Sequence, residues 1–226
     1  MTAKKTAKKI RRWKFLRDGL KSNFDGYQWV IGEWQKTECL GLCQGFNCSR
    51  RIIDAMNYVQ GEILAEVEVK GQHFDGDDKS THEGMRIIHA WHWKKADSVA
   101  LSIFAAEMVL GNFEKVYPDD DRPRKAIEAA RNYLDSPTEK NRSAAEAAAR
   151  SAVPVAWSAR SAWYASESAW YAAWAAAWAA TGSVVSAVRS AAESVKAAAR
   201  SSARSSALDK IETWLLNHIE QMEKWK

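Results

Sequence analysis

The middle of the chain contains a long stretch that lacks the usual aliphatic core residues. Between Leu134 and Leu208 there is no Leu, Ile, Phe or Met, whereas Ala and Trp are abundant. Alanine has the highest helix propensity of the amino acids, and small side chains let helix axes approach to the short end of the usual range of about 8–10 Å. We therefore expect helices stacked in close contact along alanine faces, with a layer of aromatic side chains on one side.

An internal repeat places aromatic residues on one face of the helix that we predict over residues 155–181. In steps of seven from residue 154 the sequence runs PVAWSAR, SAWYASE, SAWYAAW and AAAWAAT. At about 100° per residue the aromatic residues fall within an arc of roughly 140°, which also contains Arg160 and Glu167. The members of this aromatic stripe are Trp157, Trp163, Tyr164, Trp170, Tyr171, Trp174 and Trp178.

Two interpretations of the aromatic stripe stay open. Tryptophans at helical spacing commonly fill the space between helices. They also stack on flat ligands such as nucleobases. Charges inside an aromatic face need partners, solvent or a polar cavity, so the two charged residues of the stripe favour a pocket. The predicted ligand-binding residues on this helix are Trp157, Arg160, Trp163, Tyr164, Glu167, Trp170, Tyr171 and Trp174.

A charged segment, DDDRPR, occupies residues 119–124. Asp121 is a suitable N-cap for the next helix and Pro123 suits the first helical turn, which is the simplest explanation of the segment. Alternatively, its carboxylates and guanidinium groups line the rim of a polar pocket. Under this second interpretation the predicted ligand site also includes Asp119, Asp120, Arg122 and Arg124.

The two halves of the chain differ in their secondary-structure signals. Residues 14–95 contain β-branched runs and Gly-rich loops, whereas residues 96–226 have almost no strand signal. The first half predicts strands over 14–16, 27–31, 62–71 and 84–93, a polar loop over 72–83 and a helix over 49–59 capped by Ser49. The second half predicts helices over about 96–116, 122–134, 155–181, 183–206 and 208–224, and one that ends near Ala152. The predicted fold class is α+β, a small N-terminal α+β domain followed by an all-α, Ala- and Trp-rich domain of stacked helices.

Positive charge is concentrated at the start of the chain. The chain has 33 basic and 28 acidic residues, and residues 1–22 contain nine of the cations and one anion. The rest of the chain is therefore slightly acidic. We expect residues 1–13 to form a basic arm, which is either a solvated terminus or the one region able to contact nucleic acid.

Cysteine usage and the lack of sorting signals predict a cytoplasmic protein. Three cysteines, Cys39, Cys43 and Cys48, cannot all pair within the chain, and no apolar stretch of signal-peptide length follows the basic residues. The uncharged run over 168–188 lacks Leu, Ile and Phe, so we expect a buried helix and no membrane span.

The sequence predicts no catalytic residues, metal site or cofactor. The cysteine spacing C-x3-C-x4-C is not that of a standard zinc site, so small buried thiols are expected. The run DGDDKSTHE lacks the Gly and the Glu that a calcium loop of the EF-hand type needs. The chain also lacks the short motifs that are typical of serine hydrolases, P-loop proteins, dinucleotide-binding proteins and zinc proteases.

Two segments resemble known families. Residues 42–91, which include GFNC, EVEVKG and DDKST, resemble a small uncharacterised domain of bacteriophage proteins, with Asn47 where that pattern has a histidine. Residues 99–207, through YPDDDRPRKAIEAAR, resemble an all-helical immunity protein family of bacterial toxin–immunity systems. The second resemblance implies a protein that binds and inhibits a partner. Together they imply a phage or prophage accessory protein that counters a host defence.

Three functions follow as hypotheses. The favoured one is a non-enzymatic, immunity-like binding protein that sequesters a nucleotide-type small molecule or blocks a host immune protein, with a homo-oligomer left open. The second is an ADP-ribosyl or nucleotide-handling enzyme, because the N-terminal segment also resembles ADP-ribosyltransferase-like folds. It needs a cleft that contains Asn47, Tyr58 and either Glu66 or Glu68. The third is a structural protein whose basic arm contacts DNA.

Overall fold

The computed structural model describes residues 11–151, 160–181, 184–201 and 203–225. The chain divides into two compact units, Met1–His92 with Glu223–Lys226, and Trp93–Met222. The first unit contains an antiparallel sheet and the second contains helices, so the predicted α+β class is confirmed. The C-terminal segment joins the first unit because the Trp225 N–H donates a hydrogen bond to the Ala90 carbonyl at 2.9 Å.

The sheet of the first unit has the strand order β1-β4-β5-β2, and β3 pairs with β5. One face of this sheet covers a core that includes Leu16, Trp29, Ile63, Val67 and Ile87. The Leu and Ile of this core are residue types that residues 135–207 lack. The strands are β1 (Arg12–Leu16), β2 (Gln35–Lys36), β3 (Phe46–Cys48), β4 (Ile63–Asp75) and β5 (Ser80–His92).

Strands β4 and β5 form a long hairpin that runs through the segment predicted as a loop. Pairing continues to His73 with His82 and to Asp75 with Ser80, so the prediction of a polar loop over 72–83 is wrong. Polar residues stay extended here because the hydrogen bonds of the ladder are made by the main chain. Gly71 lies in a register shift of β4 and has a φ of 80°, a conformation that favours glycine.

Part of the predicted basic arm belongs to the sheet. Strand β1 begins at Arg12 and pairs with β4, with Trp13 opposite Glu66. The Trp13 side chain is buried, which fixes this segment in the fold. Residues 1–10 lie outside the described residues, so a basic arm there stays a prediction.

Two other predictions for the first unit are wrong. The helix expected over 49–59 is reduced to α1 (Ile52–Ala55) and a short 3-10 turn that follows it. Ser49 is not its N-cap, because the Ser49 main chain instead exchanges hydrogen bonds with Trp13 at 2.9 and 2.7 Å. The strand expected over 27–31 makes only isolated bridges, one of them between Ile31 and Ile87.

The described part of the second unit contains six helices. The first three end close to the predicted positions. The boundary between the last two helices, predicted at residue 207, lies earlier, since one helix ends at Ser201 and the next begins at Arg204. Residues 155–159 of the predicted aromatic helix lie outside the part of the chain that the structure describes. The helices are α2 (Lys95–Glu114), α3 (Arg122–Asp135), α4 (Glu139–Ser151), α5 (Arg160–Thr181), α6 (Val184–Ser201) and α7 (Arg204–Ile219).

Small side chains form the contacts among α2, α5 and α6. Ala169 and Ala191 are fully buried, as is Ser194. The Ser194 hydroxyl can donate to the main-chain oxygen of Ser168 at 3.0 Å or of Ser102 at 3.2 Å. Because these hydroxyls bond main-chain oxygens, serine can replace alanine in the interior without leaving a polar group unsatisfied. The expected packing along alanine faces is therefore present.

Among the described helices, α2 is long and apolar enough to cross a membrane by length and composition alone. Within its apolar window 56% is buried inside the protein, as expected of a core helix. Two buried serines, Ser98 and Ser102, also lie on α2.

Candidate functional site

The aromatic stripe on α5 is divided between two sets of contacts. Trp170 and Trp174 are partly buried and pack against the core formed by α2, α3, α4 and α5. On the side of α6, the Arg200 guanidinium carbon lies 5.6 Å from the centre of the Tyr164 ring, and Arg200 Nη1 lies 3.9 Å from Glu167 Oε2. These contacts are typical of interhelical packing, the first interpretation of the stripe.

The other predicted residues of the stripe add no enclosed site among the described residues. The rings of Trp163 and Tyr164 are 4.8 Å apart, as neighbours along the helix. Burial raises the pKa of Tyr171. Trp157 lies outside the described residues, as does the side chain of Arg160. A ligand site on α5 therefore stays a prediction.

The predicted charged residues before α3 pair locally. Asp120 accepts hydrogen bonds from the Arg122 side chain at 2.8 and 2.5 Å, and these bonds lower the pKa of Asp120. Arg124 forms an ion pair with Glu114 at 2.5 Å, and Asp119 is exposed. The two arginines are thus already neutralised by carboxylates of the same unit.

The cap expected at Asp121 is wrong. The Asp121 side chain makes no cap hydrogen bond, and its carboxylate lies 2.8 Å from Lys125 Nζ. Its φ of −89° and ψ of 2° differ from the extended conformation that an N-cap residue usually adopts. Asp120 instead accepts a hydrogen bond from the Arg122 main-chain N–H at 3.2 Å.

A cavity of about 550 Å³ lies in the first unit. Its walls come from β1, β3, α1 and the following turn, residues 22–25 and the loop 43–45. Small-molecule sites commonly enclose about 300–1,000 Å³. Aromatic side chains contribute to the walls, among them Trp13, Phe15 and Phe46. The cavity therefore has the size and the apolar lining of a ligand site.

Lys14 supplies a cation to the cavity wall. Its Nζ donates a hydrogen bond to the Asn47 main-chain oxygen at 3.1 Å and lies 5.4 Å from the centre of the Trp29 ring. Among the residues that the structure describes, no carboxylate lies within ion-pair distance of Lys14. Burial lowers the pKa of Lys14, and the nearby Cys48 and Asp25 oppose this effect. A buried cation without an anionic partner is costly, so this wall suits an anionic ligand.

Asn23 and Tyr58 form another part of the wall. Asn23 is 7% exposed, and its Nδ2 donates to the Tyr58 main-chain oxygen at 2.7 Å. Within the described part of the chain Asn23 Oδ1 has no hydrogen-bond partner. The Tyr58 hydroxyl donates to Asp78 at 2.6 Å, and Lys79 Nζ lies 4.6 Å from the centre of the Tyr58 ring. The wall thus contains a second cation, Lys79, beside a buried acceptor, Asn23 Oδ1.

The loop that carries Cys43 is fixed against β5. Cys43 is exposed and has a φ of 69°, which is uncommon for a residue other than glycine. Its main-chain N–H donates to Thr81 Oγ1 at 2.8 Å, and the Thr81 hydroxyl donates to Asn47 Oδ1 at 2.6 Å. A Cβ on Gly45 would lie 2.8 Å from Thr81 Cγ2, so the main chain at Gly45 lies closer to the Thr81 side chain than another residue would allow. The expectation of buried thiols is wrong for Cys43, which is held at the cavity.

Cys48 begins a buried chain of polar contacts behind the cavity wall. Its Sγ lies 3.7 Å from Ser80 Oγ, which lies 2.8 Å from His82 Nε2. Burial raises the pKa of Cys48 to about 11 and lowers the pKa of His82 to about 4. Both groups are therefore neutral near pH 7. A protonated thiol is a poor nucleophile, so this chain favours a structural role over catalysis.

The residues required by the enzyme hypothesis do not all meet. Asn47 and Tyr58 line the cavity. Glu66 and Glu68 do not line it, because each forms an ion pair with an arginine elsewhere on the sheet. Among the described residues no group of three or more His, Cys, Asp or Glu could hold a metal ion. The cavity can bind a ligand, but its lining lacks the glutamate that the enzyme hypothesis requires.

The second unit contains an open groove of about 1060 Å³ between α2 and α7. The Phe104 and Trp214 rings stack at 5.4 Å, and the Trp214 and His218 rings stack at 4.6 Å. His218 Nε2 lies 2.8 Å from Asp97 Oδ1. The groove is more open to solvent than the cavity of the first unit, so the cavity is the candidate site.

Sequence analysis did not predict Lys14, Asn23 or Cys43 as site residues. One sequence signal could have indicated Lys14 as a site residue: it is a cation between two aromatic residues, Trp13 and Phe15, at the start of a predicted strand. Nothing local distinguishes Asn23, since its burial depends on the main chain of a residue 35 positions later.

Comparisons with protein-family models, curated proteins and solved structures find no match to this chain. The assignment of function therefore rests on the geometry of the cavity and on the sequence patterns.

Proposed function

We propose that this chain is a non-enzymatic binding protein whose N-terminal unit holds an anionic, flat small molecule of the nucleotide type. The observation that carries the proposal is Lys14, a partly buried cation on the cavity wall with no carboxylate within ion-pair distance among the described residues. An anionic ligand group would supply the missing partner. Charge-assisted hydrogen bonds of this kind contribute about 1.5–3 kcal/mol.

The remaining walls fit the rest of such a ligand. The exposed ring of Phe24 and the partly buried ring of Tyr58 offer aromatic surface on which a flat ring can stack, over the nearly buried Trp13, Phe15 and Phe46. Asn23 Oδ1 is an acceptor without a partner in the described part of the chain. Nucleobases supply the flat ring that matches the aromatic part of the wall.

The chemistry of the cavity supports binding more than turnover. Burial raises the pKa of the Tyr58 hydroxyl, whose hydrogen bond to Asp78 raises it further, and burial also raises the pKa of Cys48. Neither group is a ready base or nucleophile near pH 7. Sequestration is the activity that such a site can perform. A counter-defence role for sequestration is proposed from the sequence resemblance alone.

A titration with matched probes tests the proposal. The intact protein is titrated with AMP, ADP-ribose, adenosine and inorganic phosphate, with intrinsic tryptophan fluorescence and melting temperature as readouts. We expect AMP or ADP-ribose to quench fluorescence, because Trp13 lines the cavity. Ligand at about 100 times its dissociation constant should stabilise the fold by about 2.7 kcal/mol. Bound ligand should also protect the exposed Cys43 thiol from a maleimide.

Two lysine variants separate the cavity from general charge. Lys14→Met should weaken AMP binding by about tenfold or more, with little effect on adenosine, because it removes one charge-assisted contact. Lys36→Met is the control, since Lys36 is exposed and pairs with Glu83 outside the cavity. Equal losses in the two variants would contradict the proposal. Absence of binding of all four probes to the unaltered protein would overturn it.

A further inference from the structure

Lys14 has the surroundings of a nucleophilic amine. Its Nζ has one described hydrogen-bond acceptor, the Asn47 carbonyl, and an aromatic neighbour in Trp29. It also lines a cavity with room for a small molecule. The exposed lysines Lys36 and Lys125 instead form ion pairs with the carboxylates of Glu83 and Asp121. Burial lowers the pKa of Lys14, so more of its amine is neutral at a given pH.

The groups near Lys14 leave its amine as the nucleophile that can attack a carbonyl ligand. Cys48 is the neighbouring nucleophile, and burial raises its pKa to about 11, which keeps the thiol protonated. Asp25 also lines the cavity and is exposed. Lys79, on the same cavity, remains available to hold an anionic group of the ligand.

We propose that Lys14 forms a reversible imine with anionic aldehydes that enter the cavity. The neutral amine attacks the carbonyl carbon and gives a carbinolamine after proton transfer from nitrogen to oxygen. Loss of one water molecule gives the imine, and hydrolysis returns the lysine and the aldehyde. No oxidant or reductant takes part. Lysines with lowered pKa values are the usual nucleophiles in imine formation. This inference rests on the proposed function, since it places the anionic ligand in the same cavity.

Pyridoxal 5′-phosphate is a suitable probe because it is flat, anionic and an aldehyde. The intact protein is incubated with the probe, reduced with borohydride, digested and analysed by mass spectrometry. We expect the reduced adduct on Lys14 to form at least about tenfold faster than on exposed lysines. The reason is that the cavity holds the aldehyde beside the Lys14 amine, and burial lowers the pKa of Lys14, which leaves more of this amine neutral.

Matched variants and a matched ligand separate the imine from simple binding. Lys14→Arg keeps a cation but cannot form an imine, so the adduct at this position should be lost while pyridoxine 5′-phosphate, which has no aldehyde, still binds. Lys36→Arg should change neither result. Comparison of melting temperatures without ligand checks that both variants fold.

Three results of these experiments would overturn the imine. An adduct spread evenly over the exposed lysines, or formed faster on Lys79 than on Lys14, overturns the imine. Binding of pyridoxine 5′-phosphate without an adduct on Lys14 also overturns the imine and leaves the proposed function intact. Failure of both pyridoxine-type phosphates to bind overturns the imine alone if AMP or ADP-ribose still binds, and removes both proposals if AMP, ADP-ribose, adenosine and inorganic phosphate also fail to bind.

Discussion

The two units differ in the share of small side chains in their interiors. The core of the first unit contains Trp29, Met85 and Ile87, each at most 1% exposed. The interior of the second unit is lined along α5 and α6 by residues such as Ala172 and Ser194, which are also fully buried. Large side chains with irregular loops around them leave space at their edges, and the cavity lies in that unit. Small side chains on regular helices let the helix axes lie close together. We therefore expect the first unit to be sensitive to loss of side-chain volume and the second unit to be sensitive to added volume.

The largest expected effect is loss of volume in the first unit. Ile87→Ala should lower the free energy of unfolding by about 2–5 kcal/mol, because it removes buried surface and leaves a cavity. Urea unfolding followed by fluorescence measures this change. Ile31→Ala is the control, since Ile31 is 38% exposed and should lose much less. Equal losses at the two positions would remove the contrast between core and surface in this unit.

The next effect is a pH dependence that belongs to His82. The ring is buried beside His73, Arg12 and Asp75, and its pKa is lowered to about 4 from 6.5. Below pH 6.5 the unfolded chain binds a proton that the folded chain does not, so stability is complete above that pH and falls until about pH 4. The loss amounts to about 3 kcal/mol.

Substitution of the histidine tests this assignment. Stability measured from pH 8 to pH 4 should show a smaller decline in His82→Gln than in the unaltered protein. His73→Gln, at a ring that is about half exposed, should retain most of the decline. An unchanged profile in His82→Gln would show that other groups cause the acid sensitivity.

A smaller effect is expected from added volume in the second unit. Ala172→Leu should cost about 1–3 kcal/mol, because the fully buried methyl group faces other helices with no space for three more carbons. Ala147→Leu is the matched change at an exposed position of α4 and should stay within about 0.5 kcal/mol. Calorimetric melting of both variants measures the difference. A tolerated leucine at position 172 would mean that the alanine faces are not closely packed.

The smallest effect concerns the serine contacts between helices. Ser194→Ala should cost about 1 kcal/mol, because one hydroxyl that bonds the main-chain oxygens of Ser168 and Ser102 is lost. Ser143→Ala, on the exposed face of α4, provides the comparison. If the two variants melt alike, the hydroxyl of Ser194 is dispensable and the packing of small side chains alone holds these helices.

Local patterns predicted the helical half better than the sheet half. The start and end of α3 follow from Pro123 and Pro137, and α2 ends near Pro118, since proline suits the first turn of a helix but interrupts the hydrogen bonding of later turns. The hairpin at 72–83 was missed because its pairing of His73 with His82 depends on a partner strand and not on side-chain polarity. The boundary between α6 and α7 was predicted too late, at residue 207, because no glycine or proline marks the sequence between Ser201 and Arg204.

The sequence by itself determined the α+β class and the use of alanine in the second unit, because helix propensity and side-chain size act within a few neighbouring residues. Only the tertiary structure brought Lys14, Asn23 and Cys43 to one cavity and divided the aromatic stripe between the core and Arg200. These arrangements join residues from distant parts of the chain. Their stability depends on burial and long-range pairing, which no local pattern contains.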